Sequence, residues 1–202
     1  MDDVLRAFTV RQFIGTTDDC PGNDSDDAVR DVLEANGVPI ASPNTGVIEI
    51  DGVTLRILPL PPESACPDDE NNNSIVVRLE FGHFSMLFTG DAEEEELRFL
   101  VENHPELLDA DVLKASHHGS RNGFTDEFLS VITPTHVVIS AGVHRGFRHP
   151  HPEAVEAYER ATNNRLFCTN RHGTIRIYGY EDGRIRVSLQ NASTNSCAFD
   201  GT

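Results

Sequence analysis

The chain has 202 residues, 38% of them hydrophobic, with ordinary numbers of glycine (15) and proline (11), which suits one globular domain with a real core. Sixteen basic residues stand against 33 acidic ones, a formal net charge of −17 that argues against broad, non-specific nucleic-acid binding and leaves room only for a local basic site. No apolar run approaches the roughly 18–20 residues of a membrane span, and MDDVLRAFTVRQFIG begins with two acids where a secretory signal wants bases.

Lys114 is the single lysine; the other basic residues are arginine. An acid-rich, nearly lysine-free composition matches proteins of salt-loving organisms, although a high-GC genome also favours arginine. Cys20, Cys66, Cys168 and Cys197 are widely spaced and form no C-x-x-C pair, so free thiols are the default expectation, with a disulfide as the alternative.

In chain order, residues 9–15 read as a short strand and 26–35 as an amphipathic helix stopped by Gly37. Residues 46–58 read as a hairpin turning at Asp51-Gly52, and 74–88 as a second hairpin; PDDENNN, 67–73, lies between them as a polar loop. Helices at 92–103, 125–132 and 152–162 then alternate with strands at 111–115, 136–140 and 165–169, before a closing hairpin at 174–189. Strands first and helix-strand units later predict an α/β (α+β) fold with a mixed sheet. Residues 1–189 form one domain in this reading, and 190–202 a polar, poorly ordered tail.

Three strand ends carry the chemistry. LFTGD places Asp91 before an acidic helix; taken alone, Asp91 reads as a helix N-cap with Glu94 completing a capping box. VLKASHHGSR delivers His117 and His118 at a glycine turn, and SAGVHRGFRHPHP delivers His149 and His151 before a helix with proline in its first turn. Parallel neighbours set such ends side by side, so an acid and several histidines converge on one rim, which is metal-site chemistry. Lys114, Arg121, Arg145 and Arg148 are close enough in sequence to add anion-binding charge. His83, His104 and His136 are expected elsewhere, without a role.

From about Asn71 to Ile177 the sequence resembles the metallo-β-lactamase-like hydrolase domain of the ComEC/Rec2 competence family, through NNNSIVVRLEFGHFSMLFTGD, ADVLKASHHGSRNGFTDEFLSVITPTHVVISAG, HPHPEAVEAYERA and TNRHGTIRI. The resemblance implies an αββα sandwich with two divalent ions, zinc or manganese. It further implies that Asp91 bridges the metals, that His118 is the last ligand, and that His117 faces substrate or backs a ligand. His149 and His151 match an HPH loop that binds phosphate or protonates a leaving group. Ser120, Arg121, Arg148 and His149 become candidates for substrate binding, His117 and His151 for catalysis. Asn71 or Asn73 stands where many relatives carry a further histidine ligand.

No His-x-His/Asp-x-Asp-His motif occurs in these residues; the acid clusters Asp18-Asp19 and Asp24–Asp27 contain no histidine. The expectation is therefore a domain incomplete at its amino terminus, with little activity of its own. One sheet face should be left for a missing segment or a dimer partner to cover. The expected function is metal-dependent hydrolysis of a phosphodiester, with DNA or a small ester as candidate substrates and a cytoplasmic location by default. The alternative is a non-catalytic binding or structural module on the same scaffold.

Overall fold

A computed structural model describes residues 2–15, 24–42, 46–61, 70–142, 146–192 and 196–198. His144, Arg145, Cys20, Cys66, Asp18-Asp19 and residues 67–69 lie outside the described residues. The architecture is mixed α/β: a seven-stranded sheet, two small two-stranded sheets and, among the described residues, six α-helices.

The amino-terminal elements are α1 (Asp2–Ala7), β1 (Phe13–Ile14), α2 (Asp24–Ala35) and β2 (Ile40–Ala41), with β1 and β2 paired in parallel. The strand expected over 9–15 is thus reduced to two residues. Then come β3 (Val47–Ile50), β4 (Val53–Ile57), β5 (Val77–Phe81) and β6 (Phe84–Phe88), each antiparallel to the next. Asp51 and Gly52 both have positive φ, 48° and 82°, as a two-residue hairpin turn matched to strand twist requires. After α3 (Glu94–Asn103) the sheet continues in parallel through β7 (Val112–Lys114), α4 (Asp126–Ile132), β8 (His136–Ile139), α5 (Pro152–Thr162) and β9 (Leu166–Cys168). A four-residue α6 (Thr169–His172), not expected from sequence, takes the end of the predicted last strand, and β10 (Ile175–Gly179) pairs with β11 (Ile185–Leu189) as a separate ribbon.

Register separates the sheet's two faces. Leu87, Leu113, Val137 and Leu166 form one cross-strand row, buried with Leu97, Leu100, Phe128, Ile132 and Tyr158 of α3–α5. Each fully buried aliphatic side chain contributes roughly 1.5–3 kcal/mol. The neighbouring row, Phe88, Lys114, Val138 and Phe167, points to the other face and is only half-buried. The ribbon packs on that second face at Phe84, whose ring lies where a Cβ on Gly179 would sit 2.3 Å away. His83 N–H also donates to Glu181 O, 2.8 Å.

The tail is held at residues 196–198. Cys168 and Cys197 form a disulfide, Asn170 donates to Cys197 O, and Arg171 to Ser196 O and Ala198 O. That replaces the expectation of free thiols at these two positions and of a loose tail there; the wide spacing concealed the pairing because α6 and the β10–β11 ribbon lie between the two cysteines.

No described helix is long and apolar enough to cross a membrane.

Candidate metal centre

The parallel strands β6, β7, β8 and β9 all end on one edge, and the loops leaving them form a continuous rim. Hydrogen bonds stitch it together: the backbone His117 N–H donates to Gly90 O (3.2 Å) and His151 N–H to Gly119 O (2.9 Å), and the Thr169 hydroxyl Oγ1 to Ala141 O (2.8 Å). Buried Tyr158 ties α5 to the second loop through its hydroxyl on Gly123 O, 3.1 Å.

Asp91 enters this rim from the turn after β6. Gly90 makes the turn at φ 55°, a left-handed conformation that favours glycine, and a Cβ there would press on Ser74 at 3.0 Å. Asp91 is not the N-cap of α3, contrary to the capping reading. That helix starts three residues later, at Glu94, and Asn72 supplies the capping oxygen from another segment, accepting from the amides of Glu93 and Glu96 (both 3.2 Å). The Asp91 carboxylate is thereby free to face the second loop. Its Oδ1 lies 3.6 Å from His118 Nε2 and 4.0 Å from Lys114 Nζ.

His117 and His118 both adopt left-handed backbone, φ 42° and 54°, an uncommon conformation for non-glycine residues that turns two consecutive imidazoles onto the rim. His118 Nδ1 donates to Ser140 O at 2.6 Å, so the carbonyl fixes the tautomer of the neutral ring, whose Nε2 then faces Asp91 as an acceptor. His117 Nδ1 is 2.7 Å from Glu93 Oε1. Asn71 Nδ2 (3.4 Å) and Asn122 Nδ2 (3.5 Å) donate to the same buried carboxylate.

His149 and His151 complete the cluster: ring centroids are 5.2 Å apart for His117–His149 and 4.7 Å for His149–His151. Desolvation first, then the neighbouring His151, His117 and His118, push His149 down to about 4, with Asp91 opposing. His151 is also lowered, first by desolvation and then by Arg121, against Glu153. Its Nδ1 accepts from the Arg121 amide, 3.0 Å, so a neutral ring carries its proton on Nε2. Desolvation lowers Lys114 too, with Asp91 opposing.

Asp91, His117, His118, His149 and His151 therefore share one rim, with Arg121 beside His151 and Arg148 exposed in the loop that carries His149. Arg121 lies 3.9 Å from Glu153. Ser120 is different: it is buried, and its Oγ accepts from the Asn122 amide within the turn. Asn73 also lies apart, lining a cavity of about 200 Å³ with Phe13, Leu33 and Ile75, its Oδ1 buried without a partner. His83, His104 and His136 lie in the β5–β6 turn, after α3 and at the start of β8.

Glu93, Asn122 and the Ser140 carbonyl escaped the sequence reading. Glu93 opens a run of four glutamates that looks like a solvated helix face, and backbone acceptors leave no mark in a sequence. Among the described residues the one compact trio of metal-ligating type is Cys168, His172 and Cys197, where the two sulfurs are already bonded to each other.

Over 158 residues, 78% of its length, the chain is 33% identical to ComE operon protein 3 of Bacillus subtilis. It is 31% identical over 137 residues (68%) to Competence protein ComA of Neisseria gonorrhoeae, and 30% over 138 residues (67%) to Recombination protein 2 of Haemophilus influenzae. These homologues indicate the ComEC/Rec2 competence family. The aligned part covers 20%, 19% and 16% of these ComEC/Rec2-type relatives, so the chain corresponds to about a fifth or less of each. No protein-family model matches the chain.

Proposed function

We propose that this rim holds a divalent metal ion, zinc or manganese, between Asp91 and His118 and belongs to a phosphodiester-hydrolysing centre of metallo-β-lactamase type. The observation that carries the reading is the pair itself. A carboxylate oxygen and, in the neutral ring, an imidazole nitrogen whose lone pair is turned outward by the Ser140 carbonyl face each other across 3.6 Å, and two acceptors so placed suit a cation between them. Two protein donors suit one ion, with the rest of its coordination left to water or other groups.

When bound, such an ion supplies Lewis-acid polarisation and a more acidic water. The chain's own residues then do the following. Asp91 contributes negative charge, and Ser140 O keeps His118 in the ligating tautomer. Glu93 fixes the His117 ring at the rim through the 2.7 Å bond. His151, with Nδ1 occupied by the Arg121 amide, offers Nε2–H to a phosphoryl oxygen, which favours phosphate binding over proton delivery for this residue. Arg121 places positive charge beside it, as a phosphodiester requires, and Arg148 is exposed in the neighbouring loop as a further candidate.

A second reading, a non-catalytic module, draws support from Lys114, whose ammonium 4.0 Å from Asp91 already offsets the carboxylate charge. Hydrolysis of bis-p-nitrophenyl phosphate separates the two. The first reading expects slow manganese- or zinc-dependent turnover by the 202-residue chain, abolished in Asp91→Ala and reduced about ten-fold or more in His151→Ala, as loss of a phosphate-binding hydrogen bond would give. Metal-dependent turnover that survives Asp91→Ala, or none in the metal-loaded protein, contradicts it.

A further inference from the structure

The β10–β11 ribbon has two chemically opposite faces. Side chains alternate except at half-buried Ser188: Ile175, Ile177, Ile185, Val187 and Leu189 are half-buried, while Arg176, Tyr178, Tyr180, Arg184 and Arg186 are exposed. Register sets the outward residues in pairs. Tyr178 lies opposite Arg186, whose guanidinium carbon is 4.2 Å from the ring centroid; Arg184 stands 4.9 Å over the Tyr180 ring, next to a backbone bond from Tyr180 N to Arg184 O. The cation–π contacts hold the rings against the ribbon at little further entropic cost.

This face runs against the composition of the chain. In a protein with 33 acidic residues and 16 basic ones, three arginines share one small surface, and the acids nearest in sequence, Glu181 and Asp182, are confined to the turn. Asp182 pairs there with Arg184 (2.7 Å), leaving Arg176 and Arg186 as the cations of the ribbon's middle. Two exposed aromatic rings, one in β10 and one just past its end, interleaved with arginines, match what a single-stranded nucleic acid presents: stackable bases on a polyanionic backbone. A duplex hides its base faces, and a purely anionic partner gives the tyrosines nothing to stack on.

We propose that the outer face of this ribbon, Arg176, Tyr178, Tyr180, Arg184 and Arg186, binds single-stranded nucleic acid by base stacking on the tyrosines and phosphate contacts from the arginines. The exposed pattern carries the proposal without reference to any metal.

The test is fluorescence anisotropy of a labelled oligothymidylate of about 20 nucleotides with the full chain in EDTA, so that failure of the metal reading leaves it intact. About two phosphate contacts predict a log–log salt slope near −1.4, an affinity loss of about seven-fold between 50 and 200 mM salt. Tyr178→Ala with Tyr180→Ala should weaken binding about ten-fold or more, whereas the corresponding phenylalanine pair should retain it. Arg176→Ser with Arg186→Ser should flatten the slope by about 1 or more. Circular dichroism checks folding, and the arginine variants keep the test decisive if the alanine pair does not fold. Absence of binding at 50 mM salt, equal affinity for a duplex of the same length, or affinity indifferent to the tyrosines overturns the proposal.

Discussion

His118 and Asp91 come from loops that follow different strands, yet His118 Nε2 lies 3.6 Å from Asp91 Oδ1 while the opposite ring nitrogen is committed to Ser140 O. Three consecutive parallel strand ends thus contribute to one arrangement: the acid after β6, the imidazole after β7 and the orienting carbonyl at the end of β8. The parallel order of β6–β9 makes this possible, because each crossover helix returns the chain so that successive strands finish on the same edge.

Glu96 gives the fold a pH dependence. It is fully buried in α3; burial raises its carboxyl from 4.5 to about 8, and the hydrogen bond from Ser74 N–H (3.1 Å) opposes only part of that rise. Its other oxygen has no partner, as suits a protonated acid. The folded state keeps a proton that the unfolded chain releases above 4.5, so this contribution to stability is complete below that pH and is lost as pH rises through about 8. Glu96→Gln should therefore show a smaller fall in Tm between about pH 6 and 9 than the unmodified protein. Parallel Tm–pH curves for the two would show that Glu96 is not the group responsible.

Cys168 and Cys197 close a loop with a sequence separation of 29 and hold residues 196–198 against β9 and α6. The chain-entropy model gives such a crosslink roughly 3–4 kcal/mol. Cys197→Ser, or reduction of the bond, should lower the free energy of urea unfolding by about that amount, with early loss of amide protection at 196–198. Unchanged stability after reduction would mean that the packing of the tail, and not the bond, holds it.

How far the sequence speaks can be seen in particular residues. Asp51-Gly52 announced its hairpin because only certain residues accept two successive positive φ angles, and the helices at 126–132 and 152–162 followed from apolar spacing plus a threonine or proline start. The gathering of Asp91, His117, His118, His149 and His151 was legible for the same reason the sheet was: parallel strand ends share an edge. What stayed hidden depends on partners distant in sequence. Asn72 caps α3 from more than twenty residues away and displaces Asp91 from that role. Glu93 and Glu96 are buried while Glu94 and Glu95 are exposed, a distinction that a run of four glutamates cannot express. A helix of four residues such as α6 carries too few positions for any periodicity to show.

The most direct test of the metal reading is calorimetric titration of the chain with manganese or zinc. The account predicts a site whose affinity falls about ten-fold or more in Asp91→Ala and likewise in His118→Ala, since each removes one of two protein donors. His83→Ala, in the β5–β6 turn far along the sheet from the rim, should bind as the unmodified protein does. Affinity and stoichiometry that stay the same in Asp91→Ala and His118→Ala, or no binding by the unmodified chain, would contradict the account.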